Sequence, residues 1–344
     1  MATYNVTNGL TLSRGDYTVG WVCALPVERA CATSMLDQVH CNFPVLPTDH
    51  NTYTLGRIGN HNIVVACLPN GEYGIASAAT VATQLLSSFP SIRFGLMVGI
   101  GGGVPNKDVD IRLGDVVVSK PTGGYGGVIQ YDYGKAVHGG LTRTGTLNRP
   151  PNLILTALAV LEANHLAGQS RIPELLSEMA SKLGQNASNF TLHDQEDQLY
   201  LSDYQHIIHA TCELCDKTKV ISRPPRTKHE PMVHYGLIAS GNQVVKDSHL
   251  RDRLGRELGV YCVEMEAAGL MNGFPCLVIR GICDYADSHK NKEWQGYAAA
   301  SASAYAKELL LIMPTTEGTS LTSGRCKLLF QDKRFYDFYL GMII

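Results

Sequence analysis

The sequence places several carboxylates around one predicted buried strand. Glu264, Met265 and Glu266 stand just before small residues typical of a helix start, and Asp284 ends an apolar run that begins at Cys276. In an open α/β sheet, ligands bind beyond the carboxyl ends of the strands. A carboxylic acid that is shielded from water there has a raised pKa and can donate a proton near neutral pH. The pattern predicts a catalytic site at which Asp284 transfers a proton.

A further acidic residue and a glycine-rich segment are additional candidates. Glu28 follows a predicted strand over 17–23 and lies in the first turn of a predicted helix, where an acidic side chain is favourable even without a function. Gly99 to Gly103 follows another strand, and we expect a turn there whose backbone N–H groups face an anion or a sugar. Gly101 and Gly102 are therefore candidate binding residues, although a glycine cluster alone is a weak signal.

Alternating strands and helices must hold these residues in place. Strands are predicted at 17–23, 53–58, 63–68, 94–98, 115–119, 234–239, 261–263 and 276–282, and helices at 26–36, 76–86, 153–164, 250–258, 266–271 and 297–312. Such alternation indicates a mostly parallel sheet that is covered on both faces. We expect an α/β protein built as a three-layer α/β/α sandwich.

The composition argues against several other classes of protein. The chain has 344 residues, a net charge of −2 and ten cysteines. This charge gives no general attraction to nucleic acids or membranes, and no apolar stretch is long enough for a membrane-spanning helix. The polar start lacks the apolar region of a signal peptide, and several cysteines fall in apolar, strand-like runs. We therefore expect reduced thiols and a cytoplasmic location.

The predicted elements outline one catalytic domain over 17–313, between a flexible tail at 1–16 and a C-terminal appendage at 314–344. Within the domain, 168–231 lacks the alternation of strands and helices, and we interpret it as an insertion on the active-site side. It carries basic residues that suit phosphates, although a solvated basic loop would have the same composition. The candidates for binding phosphate are Arg223, Arg226 and Lys228, with Lys135 and Arg143 earlier in the chain.

The same segment contains thiols and imidazoles at a metal-binding spacing. His206, His209, Cys212 and Cys215 recur every three residues. Two thiolates in a C-x-x-C pattern with histidines can bind a structural zinc, which would stabilise a segment that has little core of its own. A single C-x-x-C is also typical of a reduced thiol pair beside surface histidines. The candidate zinc ligands are Cys212, Cys215 and His209.

Taken in order, these segments resemble the nucleoside phosphorylase and nucleosidase superfamily. The matching motifs are Val19 to Glu28, the glycine run, Glu264-Met265-Glu266 and Cys283-Asp284, and the similarity covers about 17–313. The pattern is most similar to the phosphorylase-like domains of fungal NOD-like receptors and to related ATP nucleosidases. The resemblance implies the phosphorylase/hydrolase fold, with a mixed and partly barrel-like sheet, and a homo-oligomer.

The resemblance also implies a role for each motif residue in cleaving the N-glycosidic bond of a purine nucleoside. Asp284, after Cys283, would protonate the leaving purine, and Glu266 would hold the ribose hydroxyls while positive charge develops on the sugar. Glu28 would activate the attacking water. Met265 would pack on the face of the sugar or simply fill the core. No cofactor is required for this chemistry.

The resemblance favours hydrolysis over phosphorolysis. Related phosphorylases hold phosphate with Arg and Ser around the glycine run, where this sequence has Met97 and Ile100. ATP, cleaved to adenine and ribose 5′-triphosphate, is the favoured substrate because of the basic residues and the related ATP nucleosidases. The alternatives are a phosphate-dependent purine nucleoside phosphorylase, a methylthioadenosine/adenosylhomocysteine nucleosidase and a non-catalytic nucleotide-sensing module.

The residue that stacks on the base is not fixed by the pattern. Val244 stands in the loop at 240–245, where the family usually has an aromatic residue. Stacking must then come from elsewhere in the chain. The candidates are Tyr73, Tyr131, Tyr133 and Tyr285.

Overall fold

The computed structural model describes residues 12–44, 46–138, 140–192, 196–206, 211–226, 230–290 and 292–315. The chain divides into two compact units, Met1–Met313 and Pro314–Ile344. Every helix and strand of the described residues lies in the first unit. Most of the predicted tail and most of the predicted appendage fall outside the described ranges. Among the helices in those ranges, none is both long enough and apolar enough to cross a membrane.

The described residues form twelve strands and six α-helices. The strands are β1 (Val19–Cys23), β2 (Gln38–His40), β3 (Thr54–Ile58), β4 (His61–Cys67), β5 (Phe94–Gly103), β6 (Val116–Ser119), β7 (Val128–Gln130), β8 (Gly134–Val137), β9 (Gly140–Arg143), β10 (Val233–Ser240), β11 (Val260–Glu264) and β12 (Cys276–Asp284). The helices are α1 (Pro26–Met35), α2 (Ile75–Ser88), α3 (Asn152–Leu166), α4 (Ile172–Leu183), α5 (Ser248–Leu258) and α6 (Gln295–Ile312). The helix predicted at 266–271 is only a short 3-10 turn, Ala267–Gly269.

Ten of the strands form one mixed sheet. Its order is β11-β10-β6-β12-β5-β1-β4-β3-β2, and β7 pairs with β10. The pairs at the centre, β1 with β5 and β5 with β12, are parallel, whereas β12 with β6 is antiparallel. Strand β11 pairs with both β10 and β5, so that β5, β12, β6, β10 and β11 close into a ring. This closure confirms the predicted mixed and partly barrel-like sheet.

Helices cover both faces of the sheet, as predicted. One apolar core lies between the sheet and α1, α3, α4 and α6, and a second core includes the buried residues of α2. Helix α4 contributes Ile172, Leu175 and Met179 to the first core. The start of the segment that the sequence indicates as an insertion is therefore a core helix. The described residues that lie outside the α/β layers begin after it.

The glycine-rich segment is part of a strand, so the prediction of a turn at 99–103 is wrong. A β-carbon on Gly99 would lie 2.5 Å from Nη1 of Arg280 and 2.5 Å from Oε1 of Glu28. A β-carbon on Gly102 would lie 2.9 Å from Oδ1 of Asp284. Strand β5 therefore needs glycine because charged side chains from its neighbours fill the space beside it.

Candidate active site

A buried arginine links two of the predicted glutamates. Arg280 lies inside β12 and is fully buried, and its Nη2 atom lies 3.2 Å from Oε2 of Glu266 and in direct contact with Oε2 of Glu264. Its Nη1 atom donates to the carbonyl oxygen of Ile100 at 3.3 Å. The Nε atom is buried and has no partner in the part of the chain that the structure describes. One donor is thus left for a ligand or a water molecule.

Glu28 is held against this arginine by backbone donors. Its Oε1 atom accepts a hydrogen bond from the N–H of Ile100 at 2.8 Å, and Oε2 accepts from Ala24 and Leu25 at 2.7 and 3.0 Å. Burial raises the pKa of the Glu28 carboxyl, and the charge of Arg280 and these hydrogen bonds only partly oppose it. A glutamate with a raised pKa is suited to take a proton from water near neutral pH.

Glu264 and Glu266 converge on Arg280, although alternation along a strand would place them on opposite sides. Strand β11 ends at Glu264, so the alternation does not extend to Glu266. Glu264 accepts from the N–H groups of Glu266 and Ala267 and thereby anchors the following turn. Burial raises the pKa of Glu266 to about 7, with Arg280 opposing the shift. Met265 is partly buried between these two glutamates.

The sequence motifs did not identify Arg280 as a site residue. The available signal was a basic side chain in the middle of the apolar run Cys276–Asp284, whose nine residues are all buried. A buried charge requires a partner. The nearby Glu264-Met265-Glu266 motif could have supplied that partner, but the sequence does not show that β12 lies beside it.

Asp284 ends β12 at an irregularity of the sheet. The pairing of β12 with β5 shifts register between Ile282 and Asp284, and such bulges commonly redirect a side chain at an active site. Oδ1 of Asp284 accepts from the N–H of Ala286 at 2.9 Å. Ala286 has φ 50°, in the left-handed region that is unfavourable for residues other than glycine. Backbone strain of this kind clusters at functional sites.

Two side chains contact the other oxygen of Asp284. Oδ2 lies 2.9 Å from Nζ of Lys290 and 3.1 Å from Sγ of Cys283. Burial and the charge of Asp284 raise the pKa of the Cys283 thiol, so it stays protonated and donates to the carboxylate. Burial alone would lower the pKa of the Lys290 ammonium, but Asp284 outweighs it and raises that pKa. Lys290 therefore remains a charged partner of Asp284.

A cavity of about 220 Å³ opens beside Asp284. Three aromatic residues line it, and one of them, Tyr285, is among the predicted stacking candidates. The charged residues of the wall are mostly acidic. They are Glu196, Glu213, Asp284, Asp287 and Glu293, with Lys217 as the cation, and the aromatic residues are Tyr200, Tyr285 and Trp294.

The remaining stacking candidates lie elsewhere. Tyr131 is buried and its hydroxyl donates to the carbonyl oxygen of Gln243 at 3.3 Å. Tyr73, Tyr133 and Val244 are half or more exposed, at 50%, 60% and 52%. None of these four residues lines the cavity beside Asp284.

The arginines expected to bind phosphate are paired with carboxylates. Arg226 binds Asp115 in two contacts of 2.6 and 2.7 Å, and Asp115 is 1% exposed. Arg223 lies 2.6 Å from Asp197 and 2.8 Å from the hydroxyl of Tyr285. These ion pairs take up the groups that we expected to face a phosphate. Lys228 lies outside the described residues.

The cysteines predicted as zinc ligands lie close together. The ligand atoms of His206, Cys212 and Cys215 are within 4.8 Å of one another. His209, the histidine predicted with them, is outside the described residues.

The site combines buried carboxylates, a buried arginine and a cavity. Three buried carboxylates surround Arg280 on β12, and Asp284 ends the same strand beside a cavity. Residues 184–312 match the sequence profile described as "Phosphorylase superfamily". Over that segment, this chain is similar to the phosphorylase superfamily.

Three curated proteins are similar to this chain. An NLR-like protein from Hyaloscypha variabilis is 48% identical over 304 residues, which are 88% of this chain and 30% of that protein. A 5′-methylthioadenosine/S-adenosylhomocysteine nucleosidase from Mycobacterium bovis is 23% identical over 86% of this chain and 97% of its own length. The ATP nucleosidase Cap17 from Escherichia coli is 25% identical over 83% of this chain and 50% of its own length. The chain thus spans half or less of two of these relatives.

Solved structures agree on the fold. The structure of 5′-methylthioadenosine/S-adenosylhomocysteine nucleosidase from Helicobacter pylori superposes with a TM-score of 0.54 at 18% identity. The superposition covers 86% of this chain and 98% of that one. It confirms the predicted phosphorylase/hydrolase architecture.

Proposed function

We propose that this chain hydrolyses the N-glycosidic bond of purine nucleosides or nucleotides, with cleavage of ATP to adenine and ribose 5′-triphosphate as the favoured reaction. The observation that carries the proposal is the position of Glu28, Arg280 and Glu266 relative to Asp284. Arg280 and Asp284 are four residues apart on β12, which separates their backbones by about 13 Å at the usual rise of a strand. A nucleoside fits that span with its sugar near the arginine and its base near the aspartate.

Each group then has one task in the reaction. Glu28 takes a proton from water, whose oxygen forms a bond to C1′ of the sugar. Glu266, held by Arg280, accepts bonds from the ribose hydroxyls and stabilises the positive charge that develops on the sugar. The bond from C1′ to the purine breaks, and Asp284, which is protonated at the start of this step, gives its proton to the leaving base. The Cys283 thiol and Lys290 then stabilise the carboxylate that Asp284 becomes.

The charges around Arg280 support water rather than phosphate as the nucleophile. Three carboxylates, from Glu28, Glu264 and Glu266, surround one guanidinium group. A phosphate dianion would be repelled there. The N–H of Ile100, at the position where phosphorylases hold phosphate, donates to Glu28. Met97 is buried in the core. Phosphorolysis, the second candidate reaction, is therefore disfavoured by the negative charge around Arg280 and by the engagement of the Ile100 N–H group.

The cavity beside Asp284 is suited to bind a purine base that has amino or ring N–H donors. Its wall combines acidic side chains with three aromatic residues, which suits a planar base and disfavours a polyphosphate. The 5′ substituent would then point away from this cavity. The similarity to an ATP nucleosidase supports a triphosphate there. The relative from Mycobacterium bovis supports a methylthio group as the alternative.

The test is chromatography of the free base after incubation with ATP, AMP, adenosine, methylthioadenosine and inosine, each with and without phosphate. We expect adenine from ATP without phosphate, and loss of that product in Asp284→Asn. Asp108→Asn, which changes an exposed carboxylate, is the matched control. Release only in the presence of phosphate would replace hydrolysis by phosphorolysis. Thermal stabilisation by ATP without any turnover would instead indicate a nucleotide-sensing module.

A further inference from the structure

Two thiols and an imidazole meet next to the cavity beside Asp284. The ligand atoms of His206, Cys212 and Cys215 lie within 4.8 Å of one another, and Cys212 lines the cavity itself. In a tetrahedral zinc site, thiolate and imidazole ligand atoms are about 3.4 to 3.8 Å apart. A small inward movement of the three side chains would reach that spacing.

The orientation of His206 fits metal binding. Its Nε2 atom lies 3.3 Å from the carbonyl oxygen of Thr211. A histidine that binds a metal usually donates its other N–H to a carbonyl or a carboxylate. Donation from Nε2 to Thr211 leaves Nδ1 as the nitrogen available to a metal.

His289 lies next to this group and is a candidate for the fourth ligand. His289 is 8% exposed, and both of its ring nitrogens lack a hydrogen-bond partner among the described residues. Buried polar atoms are rarely left in that state. Its ring is fixed by stacking on Tyr200, with the ring centres 4.0 Å apart. Oδ1 of Asp287 lies 3.8 Å from Nδ1, where a carboxylate commonly supports a metal-bound histidine.

The two imidazole rings lie close to the spacing of a pair that shares a metal ion. The ring centres of His206 and His289 are 5.4 Å apart, with the planes at 79°. Two imidazoles bound to one tetrahedral zinc at about 2.0 Å have ring centres about 5 Å apart. Cys212 is also close to this histidine, since its Sγ atom lies 3.7 Å from the His289 carbonyl oxygen.

We propose that His206, Cys212, Cys215 and His289 bind one zinc ion. Two thiolates with two imidazoles form a ligand set that selects zinc over magnesium or calcium, which prefer oxygen. The proposal takes His206, Cys212 and Cys215 from the cluster that the sequence indicates and adds His289. It rests on these contacts and not on the proposed reaction.

The position of the site suggests what the ion does. Among the described residues of 196–226, regular structure is limited to the 3-10 turn Lys217–Lys219 and one bridge between Tyr200 and Val220. A metal would join this segment to the loop that follows β12. That loop carries Lys290, the charged partner of Asp284. Zinc would therefore fix one wall of the cavity and hold the ion pair of Asp284 in place.

The experiment measures metal in the full chain, purified with reduced thiols and without a metal-affinity step. We expect one equivalent of zinc per chain by atomic emission. Cobalt added to the zinc-free protein should give the near-ultraviolet thiolate-to-cobalt bands and the strong visible bands of a tetrahedral site. Cys212→Ser and Cys215→Ser should lose both signals, whereas Cys41→Ser, which changes an exposed cysteine, should keep them.

His289→Gln tests the fourth ligand, and we expect weaker zinc binding and altered visible cobalt bands. Unchanged zinc content and cobalt bands in this variant would overturn the assignment of His289. Wild-type protein with titratable thiols but neither bound zinc nor a cobalt spectrum would overturn the whole site. The cobalt spectrum of the wild type decides the question even when a cysteine variant fails to fold. Because no measurement depends on turnover, failure of the zinc site and failure of the proposed reaction are distinguishable.

Discussion

The cluster around Arg280 and the cavity beside Asp284 share strand β12 but are built differently. The cluster comes from regular elements, since Arg280 lies inside β12, Glu264 ends β11 and Glu28 lies in the first turn of α1. Its carboxylates are bonded to backbone N–H groups or to the arginine. The cavity wall comes largely from segments between helices and strands, and within the described ranges the ring nitrogens of His289 there have no hydrogen-bond partner. This difference suggests that the cluster sets the chemistry and the cavity wall sets the substrate.

The largest expected effect concerns the base in the cluster. Glu28→Gln removes the group that takes a proton from water, and we expect kcat to fall about 10²- to 10⁴-fold with little change in KM. Steady-state release of adenine measures both constants. Glu72→Gln changes an exposed glutamate and should behave as the wild type. A kcat within twofold of the wild type in Glu28→Gln would remove Glu28 from the mechanism.

Arg280→Met should destabilise the fold strongly, because it leaves Glu264 and Glu266 buried without their cation. Breaking a buried pair in this way costs about 3–5 kcal/mol of unfolding free energy. Urea denaturation of the variant and the wild type measures this loss of unfolding free energy. Arg171→Met breaks the exposed pair with Glu174, where the arginine side chain is 47% exposed, and should cost about 1 kcal/mol or less. Equal losses in the two variants would contradict the distinction between the cluster and the surface.

Arg226→Met separates structural pairing from phosphate binding. Asp115 would keep His234, at 2.8 Å, and backbone donors, so we expect a loss of about 1–3 kcal/mol in unfolding free energy. The KM for ATP should stay unchanged, because the guanidinium is bound to Asp115. A large rise in KM for ATP, with none for adenosine, would show that Arg226 binds phosphate after all.

The pH dependence of kcat/KM reports on the cluster directly. The pKa of Glu266 is raised to about 7, and that of Glu28 is raised as well, both chiefly by burial. Both carboxylates act in their charged forms, so activity should fall as the pH drops through these pKa values. We expect a loss of about tenfold per pH unit below about 7. A profile that stays flat down to pH 5 would contradict the roles of both glutamates.

The smallest effect is expected at Val244. Its side chain is 52% exposed and does not line the cavity. Val244→Ala should change the unfolding free energy by less than about 0.5 kcal/mol and leave kcat/KM within twofold. Tyr285→Leu, which alters an aromatic wall of the cavity, should raise KM by comparison. A larger rise in KM for Val244→Ala than for Tyr285→Leu would place the base near Val244 instead.

The sequence predicts the local features of this protein well. Strands β1, β5, β10 and β12 and five of the six α-helices follow from apolar periodicity, and Glu28, Glu266 and Asp284 follow from short motifs. What it does not show is pairing between distant segments. The closure of β11 on β5, the contact of Arg280 with Glu264, and the approach of His289 to His206 all depend on tertiary packing. The apolar run around Arg280 indicates that this buried charge needs a partner, but it does not show that the partner is Glu264.

Homo-oligomer formation and a cytoplasmic location remain predictions. The resemblance implies the first, and the cysteines in apolar, strand-like runs indicate the second. Light scattering of the purified chain measures the first.

The most direct test of the account is release of free adenine from ATP in phosphate-free buffer by the wild type, Asp284→Asn and Asp108→Asn. The account predicts release by the wild type and Asp108→Asn, and a loss of about 10²-fold or more in Asp284→Asn. Equal release by all three proteins would contradict the role of Asp284 as the acid that protonates the leaving base.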